Sequence, residues 1–313
     1  MADKIATRDA YGKALLALGA ENQKVVVLDA DLSKSTKTAD FAKKYPERFF
    51  NMGIAESNLL GTAAGLATTG KIPFASTFAI FAVGRAFEQI RNSIAYPKLN
   101  VKIAATHAGI SVGEDGGSHQ AIEDVGIMRA VPNMVVLVPA DGEETRQVIL
   151  AAAEYKGPVY IRMGRLALPA LFGEDYHFEI GKANVLKDGT DVAIMANGMM
   201  VSMALEAAAQ LAAEGISVGV VNVASVKPLD EETIVQVAKQ TRAVVTAEEH
   251  NIIGGLGSAV AEVLSEKLPT PIVRVGLKDT FGESGRPQEL LEKFGLTKEN
   301  LVDAVREVLA KKG

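Results

Sequence analysis

Apolar and polar positions alternate in a regular way along the first half of the chain. Short apolar runs, typical of buried strands, occur at residues 24–32, 101–106, 134–139 and 159–163. Apolar residues recur at helical spacing between these runs, at residues 11–18, 54–69, 81–94, 121–131 and 143–154. Strands that alternate with helices predict a mainly parallel sheet covered by helices on both faces.

A polar, glycine-containing stretch at residues 172–191 interrupts this alternation, and a second one follows it. Its predicted strands are residues 192–196, 217–223, 243–247 and 272–275, and its predicted helices are residues 202–214, 231–239 and 257–267. We therefore predict an α/β protein with two α/β/α domains and mainly parallel sheets. The first domain is placed at residues 1–175 and the second at 188–313, with a linker at 176–187.

Composition fits a globular protein of this size. The chain has 313 residues, no Cys and 48% hydrophobic residues, which is enough for two domains and excludes disulfides. The N-terminus lacks the features of a signal peptide, and the apolar runs are too short to cross a bilayer. A net charge of -5 argues against nucleic acid as the main partner. We expect a cytoplasmic protein that binds neither nucleic acid nor membrane.

The richest chemistry lies in residues 101–124, VKIAATHAGISVGEDGGSHQAIED, which predict a strand, a glycine-rich loop and a helix. The loop presents His107, Glu114, Asp115 and His119. In open α/β sheets such a loop, at the carboxyl end of a strand, faces the ligand crevice. The simpler interpretation is a mobile surface loop with incidental charges.

Two segments partly match glycine-rich phosphate loops. Residues 65–72, GLATTGKI, have Ile72 where a Ser or Thr must bind Mg²⁺, so we interpret them as the end of a helix. Residues 254–260, GGLGSAV, follow a predicted strand and open a helix, but they lack the third glycine of the dinucleotide fingerprint. Binding of an anion at the N-terminus of that helix stays a possibility, whereas binding of NAD is not expected.

A second candidate site lies in residues 51–87. Glu56 begins a helix of small and apolar residues, where burial would disfavour the charged carboxylate and favour sharing a proton with a ligand nitrogen. Phe78 and Phe81, three residues apart, are suited to form an apolar wall against a flat ring. The simpler interpretations are a glutamate stabilised by the helix dipole and two ordinary core aromatics.

Taken together and in order, these elements resemble a known family. GIAESN, STFAIF and THAGISVGEDGGSHQ, with ADL before them and PVYIRMGR after them, resemble the pyrimidine-binding domain of transketolase. The alternation after residue 191 resembles the transketolase C-terminal domain. The resemblance covers essentially the whole chain.

The resemblance implies thiamine diphosphate as cofactor. Glu56 matches the family glutamate that hydrogen-bonds N1′ of the aminopyrimidine. Phe78 and Phe81 match the aromatic pair that packs against that ring. The implied activity is transfer of a two-carbon ketol unit from a ketose phosphate to an aldose phosphate, with the choice of sugars and pathway, pentose phosphate or specialised, left open.

The resemblance also implies sugar-binding residues. His119 matches the histidine that contacts substrate oxygens near the reacting carbonyl and can assist proton transfer. Asp115 matches the carboxylate that binds a hydroxyl of the acceptor, and His107 and Arg165 match residues at the phosphate end. A fixed guanidinium fork suits phosphate well.

The chain also departs from the family pattern. Where a further phosphate-binding arginine is expected after the ADL segment, the chain reads SKSTKTAD. Two alternatives stay open: Lys34, Ser35 or Lys37 takes its place, or the phosphate affinity differs. An aromatic residue near the pyrimidine is replaced by Gly84. These differences leave the identity of the sugar open.

The Gly-Asp-Gly motif that holds diphosphate and Mg²⁺ in transketolases does not occur in the sequence. We therefore expect no metal ligands in this chain and a separate N-terminal subunit that binds the diphosphate and provides the main contacts to Mg²⁺ or another divalent cation. Family analogy implies a homodimer of this chain within a heterotetramer. Three alternatives stay open: the beta chain of a pyruvate or other 2-oxoacid dehydrogenase, a 1-deoxyxylulose-5-phosphate synthase-like enzyme, and a non-catalytic binding subunit.

Overall fold

A computed structural model of the protein describes residues 4–173 and 175–312. It contains two mainly parallel sheets with helices packed on both faces of each, as the alternation predicts. Hydrophobic residues of the first sheet divide between two core clusters, one on each face. In the strand Val25–Asp29, Val26 and Leu28 face one cluster whereas Val25 and Val27 face the other, which explains the continuous apolar run.

The first sheet has seven strands, which are β2 (Val25–Asp29), β3 (Phe49–Asn51), β4 (Ile72–Phe78), β5 (Lys102–Thr106), β6 (Val135–Leu137), β7 (Val159–Arg162) and β12 (Ser225–Lys227). Their order across the sheet is β12-β6-β7-β5-β4-β2-β3. All neighbours are parallel except β12 and β6. A separate antiparallel pair joins β1 (Lys4–Ala6) to β8 (Ala167–Pro169).

The second sheet has five strands, which are β9 (Asn184–Lys187), β10 (Val192–Ala196), β11 (Val218–Asn222), β13 (Val244–Asn251) and β14 (Ile272–Leu277). Their order across the sheet is β14-β13-β10-β11-β9. Only β9, at the edge, runs antiparallel to its neighbour.

Helices connect the strands of both sheets. In the first half they are α1 (Thr7–Glu21), α2 (Ser33–Thr36), α3 (Ala39–Lys44), α4 (Glu56–Thr68), α5 (Ala79–Arg85), α6 (Asp124–Ala130) and α7 (Gly142–Glu154). In the second half they are α8 (Met200–Ala213), α9 (Glu231–Thr241), α10 (Leu256–Lys267), α11 (Pro287–Lys293) and α12 (Lys298–Lys311). No helix in the described ranges is both long and apolar enough to cross a membrane.

The structure differs from the sequence-based expectation in several places. The buried central strand β4 is not predicted, because a proline and two hydroxyl residues interrupt its apolar run. The helix predicted at residues 81–94 is two segments, because α5 ends at Arg85 and a π-helical turn occupies Gln89–Ala95. The π-helical turn still buries Ile90 and Ile94, so the spacing of apolar residues in the sequence does not reveal that the helix is interrupted. The strand β9 lies within the stretch assigned to the linker, and β12 pairs with the first sheet across the expected domain boundary.

Buried polar contacts join the two domains near the linker. Glu144 in α7 accepts hydrogen bonds from Asn222 in β11 at 2.7 Å and from Tyr176 in the linker at 2.5 Å. Burial raises the pKa of Glu144 to about 7. The carboxyl group thus contacts the first domain, the linker and the second domain at once, so the domains share a fixed interface.

Candidate active site

Four neighbouring strands of the first sheet bring the candidate residues together. The strands β7, β5, β4 and β2 are adjacent and parallel, so their carboxyl ends meet at one edge. Phe78 is the last residue of β4, His107 directly follows β5, and Arg165 follows β7. Residues that are far apart in sequence therefore meet at this edge of the sheet, which we call the crevice because ligands of open α/β sheets bind there.

One end of the crevice is formed by Glu56 and the two phenylalanines. Glu56 is the first residue of α4 and is only 4% exposed. The rings of Phe78 and Phe81 lie 5.7 Å apart and nearly parallel, at 12°. Arg85 connects the two features, because it donates to Glu56 Oε1 at 3.1 Å and lies 4.2 Å above the Phe81 ring. Sequence reasoning missed Arg85.

The glycine-rich loop places His119 against the same aromatic pair. Its ring meets the Phe81 ring edge-on at 5.3 Å and the Phe78 ring at 6.4 Å. The Nδ1 atom of His119 lies 3.0 Å from the hydroxyl of Ser118. Asp115 is exposed on the turn that the hydrogen bond from Gly116 N–H to Gly113 O closes at 3.1 Å. The loop therefore presents an imidazole beside the aromatic wall and an exposed carboxylate four residues before it.

His107 lies at the centre of the crevice. Its ring stacks on Phe78 at 3.8 Å, and its backbone turns out of β5 with a φ of 55°. Its Nε2 lies 2.9 Å from a guanidinium nitrogen of Arg8 and its Nδ1 lies 2.9 Å from the hydroxyl of Thr106. Because a guanidinium can only donate, Nε2 accepts and we assign the ring proton to Nδ1.

The far end of the crevice carries positive charge. Arg8 in α1 also donates to the backbone oxygen of Ser35 at 3.2 Å. Arg165 donates to Val112 O at 2.5 Å and lies 3.4 Å from Glu114. Lys37 pairs with Asp9 at 3.0 Å. Arg8, which sequence reasoning missed, thus brings a guanidinium from α1 to the segment that follows ADL.

The buried carboxylate of Asp29 holds the segment that contains Ser35. It accepts hydrogen bonds from Leu32 N–H at 2.6 Å and from the hydroxyls of Thr36 and Thr38 at 2.6 and 2.9 Å. Burial raises the pKa of Asp29, although these donors oppose that effect. The backbone acceptor of Arg8 therefore belongs to a fixed turn.

We expect the His107 imidazole to stay neutral at physiological pH. Burial lowers its pKa to about 3, with further contributions from the charges of Arg8, Arg165 and Lys37. A pKa lowered on folding stabilises the fold above the ordinary histidine pKa, and this contribution is lost as the pH falls towards 3. The His107 signal in an NMR titration, assigned with His107→Gln, should stay constant between about pH 5 and pH 8. A midpoint near pH 6.5 would contradict this buried, cation-facing environment.

The two glycine-rich segments have structural roles. Residues 65–72 do contain the end of a helix, since α4 stops at Thr68 and Gly70 has a φ of 81°. At the start of α10, the backbone N–H groups of Leu256 and Gly257 donate to the carboxylate of Glu248 at 2.6 and 2.8 Å. The position left open for an anion is therefore filled by this internal side chain. Within residues 4–173 and 175–312, no three His, Asp or Glu side chains are grouped to hold a metal ion.

The chain is similar to known proteins over most of its length. Residues 3–170 match the family model "Transketolase, pyrimidine binding domain" and residues 181–301 match "Transketolase, C-terminal domain". A protein from Methanocaldococcus jannaschii, named for its likeness to a transketolase C-terminal section, is 55% identical over 97% of this chain and 96% of its own length. A 6-deoxy-6-sulfo-D-fructose transketolase subunit from a Clostridium species is 45% identical over 97% of this chain and 95% of its own.

A solved structure is similar over the whole chain. It is described as a split gene transketolase in the form of an inactive beta4 tetramer. It is 65% identical, covers 99% of this chain and 100% of its own, and superposes with a TM-score of 0.93. The two family models, the identities above 30% and the shared fold lead to one assignment: the chain belongs to the transketolase family and comprises its pyrimidine-binding and C-terminal domains.

Proposed function

We propose that the chain is the C-terminal subunit of a thiamine-diphosphate-dependent transketolase, which transfers a two-carbon ketol unit from a ketose phosphate to an aldose phosphate. One observation carries this proposal. Side chains form a continuous line of contacts along the crevice, in the order Glu56, Arg85, Phe81, Phe78, His107, Arg8. The line runs from a carboxylate beside an aromatic wall to a cluster of cations.

The end formed by Glu56 and Phe81 fits the aminopyrimidine of the cofactor. The Arg85 guanidinium is a flat group that lies over the Phe81 ring and donates an N–H to Glu56. An aminopyrimidine is also flat and also offers nitrogen atoms to a carboxyl group. The place between Glu56 and Phe81 thus already accepts a group of this shape and hydrogen-bonding character.

When bound, thiamine diphosphate supplies the carbon nucleophile and the electron sink for ketol transfer. In this proposal Glu56 holds and exchanges a proton with the pyrimidine nitrogen, while Phe78 and Phe81 orient the ring. His119, beside that wall, contacts the reacting oxygens of the sugar, and Asp115 binds a hydroxyl of the acceptor. These roles follow from the resemblance and from the common position of the residues in the crevice.

The other end of the crevice fits an anionic group on the sugar. Burial lowers the pKa of Arg8, Asp9 opposes this effect, and repulsion from Arg165 adds to it, so the two guanidinium groups lie close enough to repel each other. A bound phosphate would relieve this repulsion and accept charge-assisted hydrogen bonds from both arginines. We assign Arg8, Arg165 and Lys37 to the terminal anion, with His107 holding Arg8 in place.

We further propose that Mg²⁺ and the diphosphate are bound by a separate N-terminal subunit. The support comes from relatives of matching length, one named for a transketolase C-terminal section, one a transketolase subunit and one the product of a split gene. The beta4 tetramer of the split-gene protein supports self-association of this chain within a larger assembly of both subunits.

The contact between Arg85 and Glu56 should compete with the cofactor. Arg85→Ala removes the guanidinium from the ring position, so we expect the two-subunit complex to bind thiamine diphosphate about threefold to tenfold more tightly. Arg91→Ala, an exposed arginine on the following π-helical turn, is the matched control and should leave affinity unchanged. Weaker binding by Arg85→Ala would show that Arg85 supports the ring instead of occupying its place.

Reconstitution tests the proposed function. The chain is mixed with a subunit that carries the missing diphosphate-binding domain, and xylulose 5-phosphate and ribose 5-phosphate are supplied with thiamine diphosphate and Mg²⁺. We expect ketol transfer only in the mixture, with activity that saturates near one partner per chain. Turnover by the isolated chain would refute the need for a second subunit. Failure with every such partner would favour a non-catalytic binding subunit.

A further inference from the structure

The C-terminal domain contacts the substrate loop, residues 107–120, through Glu249. This residue lies in β13 and is 5% exposed. Its Oε1 accepts a 2.7 Å hydrogen bond from the backbone N–H of Ser111, in the 3-10 turn Ile110–Val112. A carboxylate from the second domain therefore fixes the first turn of the loop, shortly after His107.

The loop backbone is built closely around this carboxylate. Gly109 has a φ of 82°, and a Cβ atom at this position would lie only 2.2 to 2.6 Å from the carboxyl atoms of Glu249. The N–H of Gly109 donates to Ala121 O at 2.8 Å, which closes the base of the loop. Glycine is required here both for its backbone conformation and for the space that Glu249 occupies.

Buried charges connect Glu249 to the far end of the loop. Arg162 donates to the backbone oxygen of Glu249 at 2.8 Å and to Ala121 O at 3.2 Å. The same guanidinium pairs with Asp124, the first residue of α6, at 2.9 Å. Burial raises the pKa of Glu249, whereas the charge of Arg162 and the hydrogen bonds from Ser111 oppose this effect. Both ends of the loop are thus tied to one strand of the second domain.

The tip of the loop also rests on the second domain. Gln120 donates through Nε2 to Glu283 O at 2.9 Å. A Cβ atom on Gly117 would lie 2.8 Å from Gly282 O, and one on Gly116 would lie 2.4 Å from the Ser284 hydroxyl. The turn between Asp115 and His119 therefore follows the surface of residues 282–284.

We propose that Glu249 is a positioning residue for the sugar substrate, which acts by fixing the backbone that presents His107, Asp115 and His119. It touches no substrate itself. The C-terminal domain thereby takes a direct part in substrate binding. This inference rests on the proposed function, since it concerns the same crevice. The ring-binding residues Glu56, Phe78 and Phe81 lie on α4, β4 and α5, outside the loop, so cofactor affinity should change much less than KM for the sugars.

Three substitutions of Glu249 and one control separate positioning from stability. Glu249→Leu removes the hydrogen-bond acceptor for Ser111. Glu249→Asp keeps the negative charge beside Arg162, but its side chain is one methylene shorter, so the carboxylate lies farther from Ser111. Glu249→Gln retains an acceptor oxygen. Val260→Ala is the control, because Val260 is fully buried in a core cluster of the same domain that contains no loop residue. Glu249→Asp carries the test if the leucine variant fails to fold.

In the reconstituted enzyme, Glu249→Leu and Glu249→Asp should raise KM for both sugars at least about tenfold, since small misplacements of binding groups are costly. Cofactor affinity should stay within about twofold, and Glu249→Gln should restore KM to within about threefold of wild type. Val260→Ala should leave KM unchanged. An unchanged KM in the leucine and aspartate variants, or an equal rise in Val260→Ala, would overturn the proposal.

A second readout keeps this inference separate from the proposed function. If wild type shows no ketol transfer with any partner, the proposed function fails, and hydrogen exchange in the isolated chain then decides on Glu249. The backbone amides of residues 108–120 should exchange faster in Glu249→Leu than in wild type and should be unaffected in Val260→Ala. Equal exchange in wild type and Glu249→Leu would overturn the positioning role.

Discussion

Glu56→Gln should reduce turnover of the reconstituted enzyme by at least about a hundredfold, because general acid–base catalysis contributes factors of this size. Glutamine is nearly isosteric and can still hydrogen-bond, but it cannot exchange a proton with the pyrimidine nitrogen. Glu56 is buried at the start of α4, so the loss should appear in kcat with the fold intact. Steady-state kinetics of ketol transfer, with circular dichroism of each variant, provide the measurement.

Glu88→Gln is the matched control for this experiment. Glu88 lies in the connection between α5 and the π-helical turn and is exposed to solvent. Its substitution should leave turnover unchanged. If Glu56→Gln retained activity within about tenfold of wild type, a barrier change of only about 1.4 kcal/mol, the assigned role of Glu56 would be wrong.

Arg8→Ala and Arg165→Ala should each raise KM for xylulose 5-phosphate by about thirtyfold, which corresponds to about 2 kcal/mol for a lost charge-assisted hydrogen bond. Arg8 lies at the end of the line of contacts opposite Glu56, and Arg165 is close enough to lower the pKa of His107, which contacts Arg8. KM for unphosphorylated xylulose should therefore change little. Kinetics with the two sugars side by side measure the difference.

Lys13→Ala separates this local effect from a general loss of positive charge. Lys13 lies on the same helix as Arg8 but is exposed to solvent. We expect no change in KM for either sugar. Equal increases for both sugars in Arg8→Ala and Arg165→Ala would show that these residues do not bind the phosphate.

Much of the fold follows from the sequence because fully buried parallel strands require continuous apolar runs. Strand β10 has the predicted bounds, and strand β2 lies within the predicted run at residues 24–32. All residues of both strands are buried. The edge strands β3 and β9 are not predicted because they are partly exposed and carry no distinct pattern. Strand β12 is too short for a pattern, and the buried strand β4 is not predicted because a proline and two hydroxyl residues interrupt its apolar run. Their positions depend on pairing between distant segments, which no local signal records.

Only part of the candidate site could be predicted from the sequence. Glu56, Phe78 and His119 stand out because they lie within compact motifs with unusual surroundings. Arg8 was missed because it contacts a histidine 99 residues later along the chain. Glu249 likewise contacts Ser111 across 138 residues, and nothing near it in sequence indicates a role in the loop. Only the folded arrangement of the strands brings these charges together.

The most direct test of the account is calorimetric titration of thiamine diphosphate and Mg²⁺ into the isolated chain and into its complex with a subunit that binds diphosphate. This chain offers the ring end of the site through Glu56, Phe78 and Phe81. We predict weak binding to the isolated chain and at least about hundredfold tighter, Mg²⁺-dependent binding to the complex. Tight, Mg²⁺-dependent binding to the isolated chain, with no increase in affinity when the partner is added, would contradict a cofactor site shared between two subunits.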